Sequence, residues 1–218
     1  MAKGISRIVL EMRRHAGGKA TVWHEDPFRV LIATVLSQRT KDRNTEKAAG
    51  ILFSRYRTPE GIASAPVAEL EKLIRSSGFY KVKAKRIQGI SRQLIADFSG
   101  RVPRRREDLL RLEGVGPKTA GCVQVYGFND YALPVDTHVH RISNRLGLVR
   151  TRTPEETEPA LKKAVPKRYW KEINHLMVSF GQKVCLPRNP KCRICNLAPM
   201  CSYFRENGAG MRLQEKNG

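Results

Sequence analysis

Apolar residues along the chain recur at intervals of three and four, and sustained two-residue alternation is missing, so the pattern predicts helices and no sheet. Ile5, Ile8, Val9 and Met12 form one stripe, closed by Gly17 and Gly18, which predicts a short first helix. Asp26 and Pro27 supply an N-cap and a first-turn proline ahead of Phe28, Leu31, Ile32, Val35 and Leu36, the spacing of a core helix. Helical spacing returns in Ala48, Ile51, Leu52 and Tyr56, in Val67 to Ile74 before Gly78, and in Ile87 to Phe98 before Gly100. A basic stretch, Arg101 to Arg106, leads through Leu109 to Leu112 into the turn Gly114-Val115-Gly116, then a helix from Pro117 to Tyr126 stopped by Gly127. Thr153, Pro154 and Glu156 form a capping box for a helix reaching Ala164, and Trp170, Ile173, Met177 and Phe180 set a seam on the next. Short helices with short connections predict an all-α fold, loosely ordered only in the tail from Glu206 to Gly218.

The 218 residues suffice for one large domain or two modest ones. Charge points to the partner: 41 Lys and Arg against 20 Asp and Glu leave a formal net charge of +21, an excess suited to a polyanion. Charge alone does not separate nucleic acid from an anionic membrane surface or from heat adaptation. No apolar run reaches the roughly 20 residues that cross a bilayer, and Met1 to Leu10 lacks a signal-peptide core, so the chain reads as intracellular. Cys185, Cys192, Cys195 and Cys201 crowd together while Cys122 stands alone, a distribution that suits metal ligation better than disulfides. Cys122, between Gly121 and Val123, reads as a small buried residue.

Three elements carry chemistry. In the first, Leu112 to Ala120, two glycines permit a tight turn at a helix start, where amides and the helix dipole favour a phosphate without reading bases. Lys118 follows in the first helical turn; it serves either as one more phosphate-binding lysine or as an amine nucleophile whose pKa is lowered by nearby positive charge and partial desolvation. In the second, Leu133 to Arg141, Asp136 is placed to cap a helix; a carboxylate there stays ionised and could stabilise a developing positive charge or help a lysine lose its proton. His138 and His140 do not share a helix face, which weakens a metal reading for them. The third is Cys185-x6-Cys192-x2-Cys195-x5-Cys201, whose thiolates suit either zinc or a [4Fe-4S] cluster.

At these residues the chain resembles the endonuclease III family, within the helix-hairpin-helix glycosylase superfamily, from about Pro27 to Cys201. The resemblance rests on Leu112 to Ala120, on Val135 to Val139, and on Phe180 to Cys201, in the family's order and spacing. It implies two all-α lobes: a six-helix barrel with the hairpin over residues 23–132, and a cluster lobe joining 1–22 to 133–205, with DNA between them and 206–218 as tail. It implies iron and sulfur rather than zinc at the four cysteines, Lys118 as the nucleophile and Asp136 as its partner. The expected enzyme is a bifunctional DNA glycosylase and abasic-site lyase of base excision repair. It works as a cytoplasmic, nucleoid-associated monomer on double-stranded DNA containing a damaged base, foremost an oxidised pyrimidine, or an abasic site.

For DNA contacts the resemblance implies Gly114, Val115, Gly116, Thr119 and His138, with Gln38 or Arg39, and Phe79, filling the gap left by a flipped nucleotide. Departures from the family pattern are Glu113 for a proline, Pro117 at a variable position, His140 for an apolar residue, and Arg39 where the family carries Gln. Lysine at 118 separates the chain from adenine glycosylases, which carry Ser there, and thymine mismatch glycosylases, which carry Tyr. A uracil- or mismatch-directed glycosylase is the alternative within the superfamily. Outside it, a noncatalytic DNA-binding module leaves Lys118, Asp136 and the cysteines unexplained together, and an electron carrier leaves the basic excess and the hairpin unexplained.

Overall fold

The structure, a computed structural model, describes residues 2–16 and 26–213, with side chains for 4–16 and 26–207. The chain divides into two units, one spanning 23–132 and the other joining 1–22 to 133–218. No strand occurs among the described residues. No helix among them is long and apolar enough to cross a membrane.

The chain's first helix, α1 (Ala2–His15), belongs to the second unit and buries Ile5, Ile8, Val9 and Met12. Its expected stop at Gly17 and Gly18 lies outside the described residues.

In the first unit the central helix is α2 (Pro27–Ser37). Asp26 Oδ1 accepts the amides of Phe28 and Arg29, both at 3.0 Å, and Pro27 needs no acceptor of its own. Leu31, Ile32, Val35 and Leu36 are wholly buried, each contributing about 1.5–3 kcal/mol of apolar burial. Around this stripe gather α3 (Asp42–Arg55), α4 (Pro59–Ser64), α5 (Val67–Leu73), α6 (Tyr80–Phe98), the single turn α7 (Arg106–Leu109) and α8 (Pro117–Cys122). α8 runs on as a π-helical turn, Val123–Gly127, and α2 packs against both.

Two parts of this unit differ from the sequence expectation. α4 has too few apolar residues for a stripe and forms because Thr58 caps it, accepting the Gly61 amide at 3.3 Å, while Ile62 enters the core. α6 begins at Tyr80 rather than Ile87, its first turns hidden by Lys81, Lys83, Lys85 and Arg86.

The second unit adds to α1 the helices α9 (Thr137–Leu146), α10 (Pro154–Ala164), α11 (Trp170–Lys183) and α12 (Ser202–Leu213). α9 packs on α10, α11 and α12, and α1 lies on α11, where Arg13 donates to both Glu172 oxygens at 2.7 and 2.9 Å. At α10 Thr153 Oγ1 accepts the Glu156 amide at 3.2 Å, while Glu156 Oε2 accepts the amide of Arg152 at 2.9 Å, one residue before the cap rather than the cap amide of a capping box. α12 follows directly on the cysteine loop and seats Tyr203 against the Arg145 guanidinium, 4.6 Å from the ring centroid, and it runs to Leu213, so the first part of the expected tail from Glu206 is helical. Residues 214–218 lie outside the described set.

Candidate functional site

In the first unit the hairpin turns at Gly114, whose φ of +70° lies in the left-handed region that glycine enters freely. The Arg86 side chain lies flat across it, so that an added Cβ would fall 2.5 Å from Arg86 Cδ. Gly116 is extended, with φ −93°, and open space faces it. Val115 and Thr119 are 5% and 4% exposed, so contacts expected of them can be made by main-chain amides and not by their side chains. Lys118, half-buried, is the second residue of α8, ahead of the first helical bond from Ala120 N to Gly116 O at 3.0 Å. The amides before that bond have no acceptor within the helix, an arrangement that suits phosphate.

Beside the hairpin, Gln38 caps α2 and is occupied: its Nε2 donates to Gly114 O and its Oε1 accepts from Arg86 Nη1, both at 3.3 Å. Arg39 is exposed, and its guanidinium stands 5.9 Å from the centroid of Phe79, which is 63% exposed. Both are left-handed, φ 51° and 57°, a conformation costing an L-residue about 1–2 kcal/mol. Strain of this sort persists where the surroundings over-determine it, often at functional sites. Here the two turns also touch through Gly78, where a Cβ would meet Arg39 O at 2.9 Å.

In the second unit Asp136 does cap α9: its Oδ1 accepts the amides of His138 and Val139 at 2.8 and 2.9 Å. Its Oδ2 faces Asn174 Nδ2 at 3.5 Å, and Asn174 also donates to Pro134 O at 3.1 Å. One carboxylate oxygen is thus committed to the helix, while the other lies against the Asn174 amide. His138 Nδ1 meets Arg141 Nη2 at 3.2 Å.

The four cysteines follow α11 and line one small pocket together with Ile142, Leu146 and Phe180. Burial pushes the thiols of Cys192, Cys195 and Cys201 up. No three His, Cys, Asp or Glu side chains among the described residues converge tightly enough to hold one metal ion. Arg141 Nη2 donates to Cys185 O at 2.9 Å; Arg145 donates to Leu186 O at 2.7 Å, Pro187 O at 2.9 Å and Cys185 Sγ at 3.4 Å. These two arginines, one helical turn apart on α9, fasten the loop.

Sequence reasoning passed over Lys83, Arg86, Asn174, Arg141 and Arg145. Asn174 carried a readable signal, an amide on the stripe of Ile173 and Met177. The others are basic residues in a chain full of them, and only their acceptors mark them out.

Residues 32–167 match the family model described as HhH-GPD superfamily base excision DNA repair protein. An endonuclease III of Thermotoga maritima is 57% identical over 85% of this chain and 87% of its own. Two solved structures share the fold: a non-covalent endonuclease III–DNA complex, at 37% identity and TM-score 0.87 over 96% of this chain and 99% of that one, and a trapped endonuclease III–DNA covalent intermediate, at 38% and 0.86 over 95% and 99%. The chain belongs to the endonuclease III family of that superfamily.

Proposed function

We propose that the protein is a bifunctional DNA glycosylase and abasic-site lyase of base excision repair, acting on oxidised pyrimidines in duplex DNA. The observation that carries this is Lys118: an amine in the first turn after a phosphate-binding hairpin, in a chain whose close structural neighbour is an endonuclease III caught covalently on DNA. In this reading the hairpin amides hold the backbone and the damaged nucleotide leaves the stack. The unprotonated Lys118 Nζ attacks C1′; the C1′–N bond breaks and its electrons leave with the base, which takes up a proton. Transfer of one Nζ proton to O4′ opens the sugar and gives a protonated imine, and removal of a C2′ proton then expels the 3′ phosphate. Asp136, at its helix start, stabilises positive charge on the sugar as the base departs.

Cys185, Cys192, Cys195 and Cys201 fit a [4Fe-4S] cluster better than zinc. The four cysteines line one pocket, and four thiolates in a compact loop, in the order and spacing of the endonuclease III family, make up the ligand set of such a cluster. When bound, the cluster supplies a cross-link that sets the loop's shape, and iron with acid-labile sulfide in the purified protein is the matching measurement, stoichiometric zinc the contrary one.

Incision of duplexes carrying thymine glycol, dihydrouracil, uracil, T:G or a plain abasic site tests the substrate. Oxidised pyrimidines and the abasic site should be cut, and Lys118→Ala should cut neither; a preference for uracil or T:G would replace the substrate reading.

A further inference from the structure

Lys83 is 3% exposed, and no carboxylate stands among its partners. Its ammonium instead donates to Leu36 O at 2.7 Å, Gln38 O at 2.5 Å, Thr40 Oγ1 at 2.9 Å and Ser77 Oγ at 3.0 Å. Leu36 O closes the last turn of α2, Gln38 O and Thr40 Oγ1 belong to the turn that carries Arg39, and Ser77 Oγ belongs to the turn that carries Phe79. Around the ammonium the turns are stitched further: Ser77 Oγ donates to Leu36 O at 2.9 Å, and the Gly78 amide donates to Thr40 Oγ1 at 3.0 Å. Burying a lysine head group this way is costly unless its hydrogen bonds are satisfied, and what it holds together is two exposed residues in left-handed backbone.

We propose that Lys83 is a positioning residue, latching the two turns so that Arg39 and Phe79 meet DNA as one preset cation–aromatic unit. The proposal rests on the reading that the protein extrudes a nucleotide from duplex DNA. Gln38, tied to Gly114 and Arg86, is anchored back on the hairpin, so the residue left to enter the duplex beside Phe79 is Arg39. The latch needs the charged form. An ammonium offers three N–H groups to four oxygens; a neutral amine offers two and turns a lone pair toward the rest. The charged group bearing on it is Arg86, a turn further along α6, which with burial favours loss of the proton; the groups facing it from the two turns are carbonyls and hydroxyls.

The test uses a duplex with a tetrahydrofuran abasic analogue opposite 2-aminopurine, whose fluorescence rises when that base is unstacked. At saturating protein, Lys83→Met should lose the rise by about fivefold or more, with affinity weakened less than about threefold, since the variant binds backbone but must order the turns anew. In wild type the rise should shrink as pH goes from 7 to 9.5, the ammonium's pKa being about 8. A full rise in a folded Lys83→Met overturns the latch, and if that variant does not fold, a rise flat with pH in wild type overturns it. Borohydride trapping on a true abasic duplex separates the failures: wild type that traps while the latch signals are wrong sinks the latch alone, whereas wild type that neither traps nor unstacks sinks the reading and the latch together.

Discussion

At the scale of single residues, the cap that Asp136 makes can be separated from the charge stabilisation proposed for it. Asn caps a helix as well as Asp, so Asp136→Asn should leave thermal stability within about 0.5 kcal/mol while slowing base release about 10²- to 10⁴-fold, the range for a positioned acid–base or charge-stabilising group. Unchanged release would reduce Asp136 to a cap. Lys83 gives a second measurement, with opposite signs for stability and function. Burial, with Arg86, brings its pKa from 10.5 to about 8 in the folded protein. Between those values the unfolded chain holds more protons than the folded one, so the contribution of Lys83 to stability rises with pH across that window. Melting temperatures of wild type and Lys83→Met, followed from pH 7.5 to 10.5, should move in favour of wild type; a constant difference would mean that the ammonium is not penalised by its site.

At the scale of elements, the hairpin's two glycines should fail differently. Gly114 is left-handed and lies under Arg86, so Gly114→Ala should destabilise the fold by about 1–2 kcal/mol. Gly116 has an ordinary extended φ and open space before it. Gly116→Ala should therefore fold normally, yet set a methyl group where phosphate approaches and weaken DNA binding. Denaturation and DNA titration of both variants check this, and a Gly116→Ala protein with native affinity would move the phosphate site elsewhere. Helices with a full apolar stripe, α2 and α11 above all, were legible in the sequence because their burial is written in three- and four-residue spacing. α4 and the start of α6 were not: one forms on a cap and a single buried Ile62, and the other hides its inward residues, Lys83 and Ala84, among exposed Lys81 and Lys85.

At the scale of the whole molecule, the excess of 41 basic over 20 acidic residues is the footprint of a phosphate backbone. Affinity for undamaged duplex should fall about 10³-fold or more between 50 and 200 mM salt, since each neutralised phosphate releases counterions; a flat dependence would separate the charge from DNA binding. The residues proposed to do chemistry stood out as candidates, Lys118 by the glycines before it, Asp136 by the helix it starts and the cysteines by their spacing, but their roles came from the family resemblance and not from the motifs themselves. Lys83 did not stand out, because what distinguishes a buried polar side chain among many exposed lysines is the distant acceptor that satisfies it, here Leu36 O. The central claim is that Lys118 bonds covalently to the sugar. Sodium borohydride added to the protein on abasic-site duplex should fix a protein–DNA adduct, seen as one added mass, that Lys118→Ala does not form; a wild-type protein that incises the duplex yet forms no adduct would contradict it.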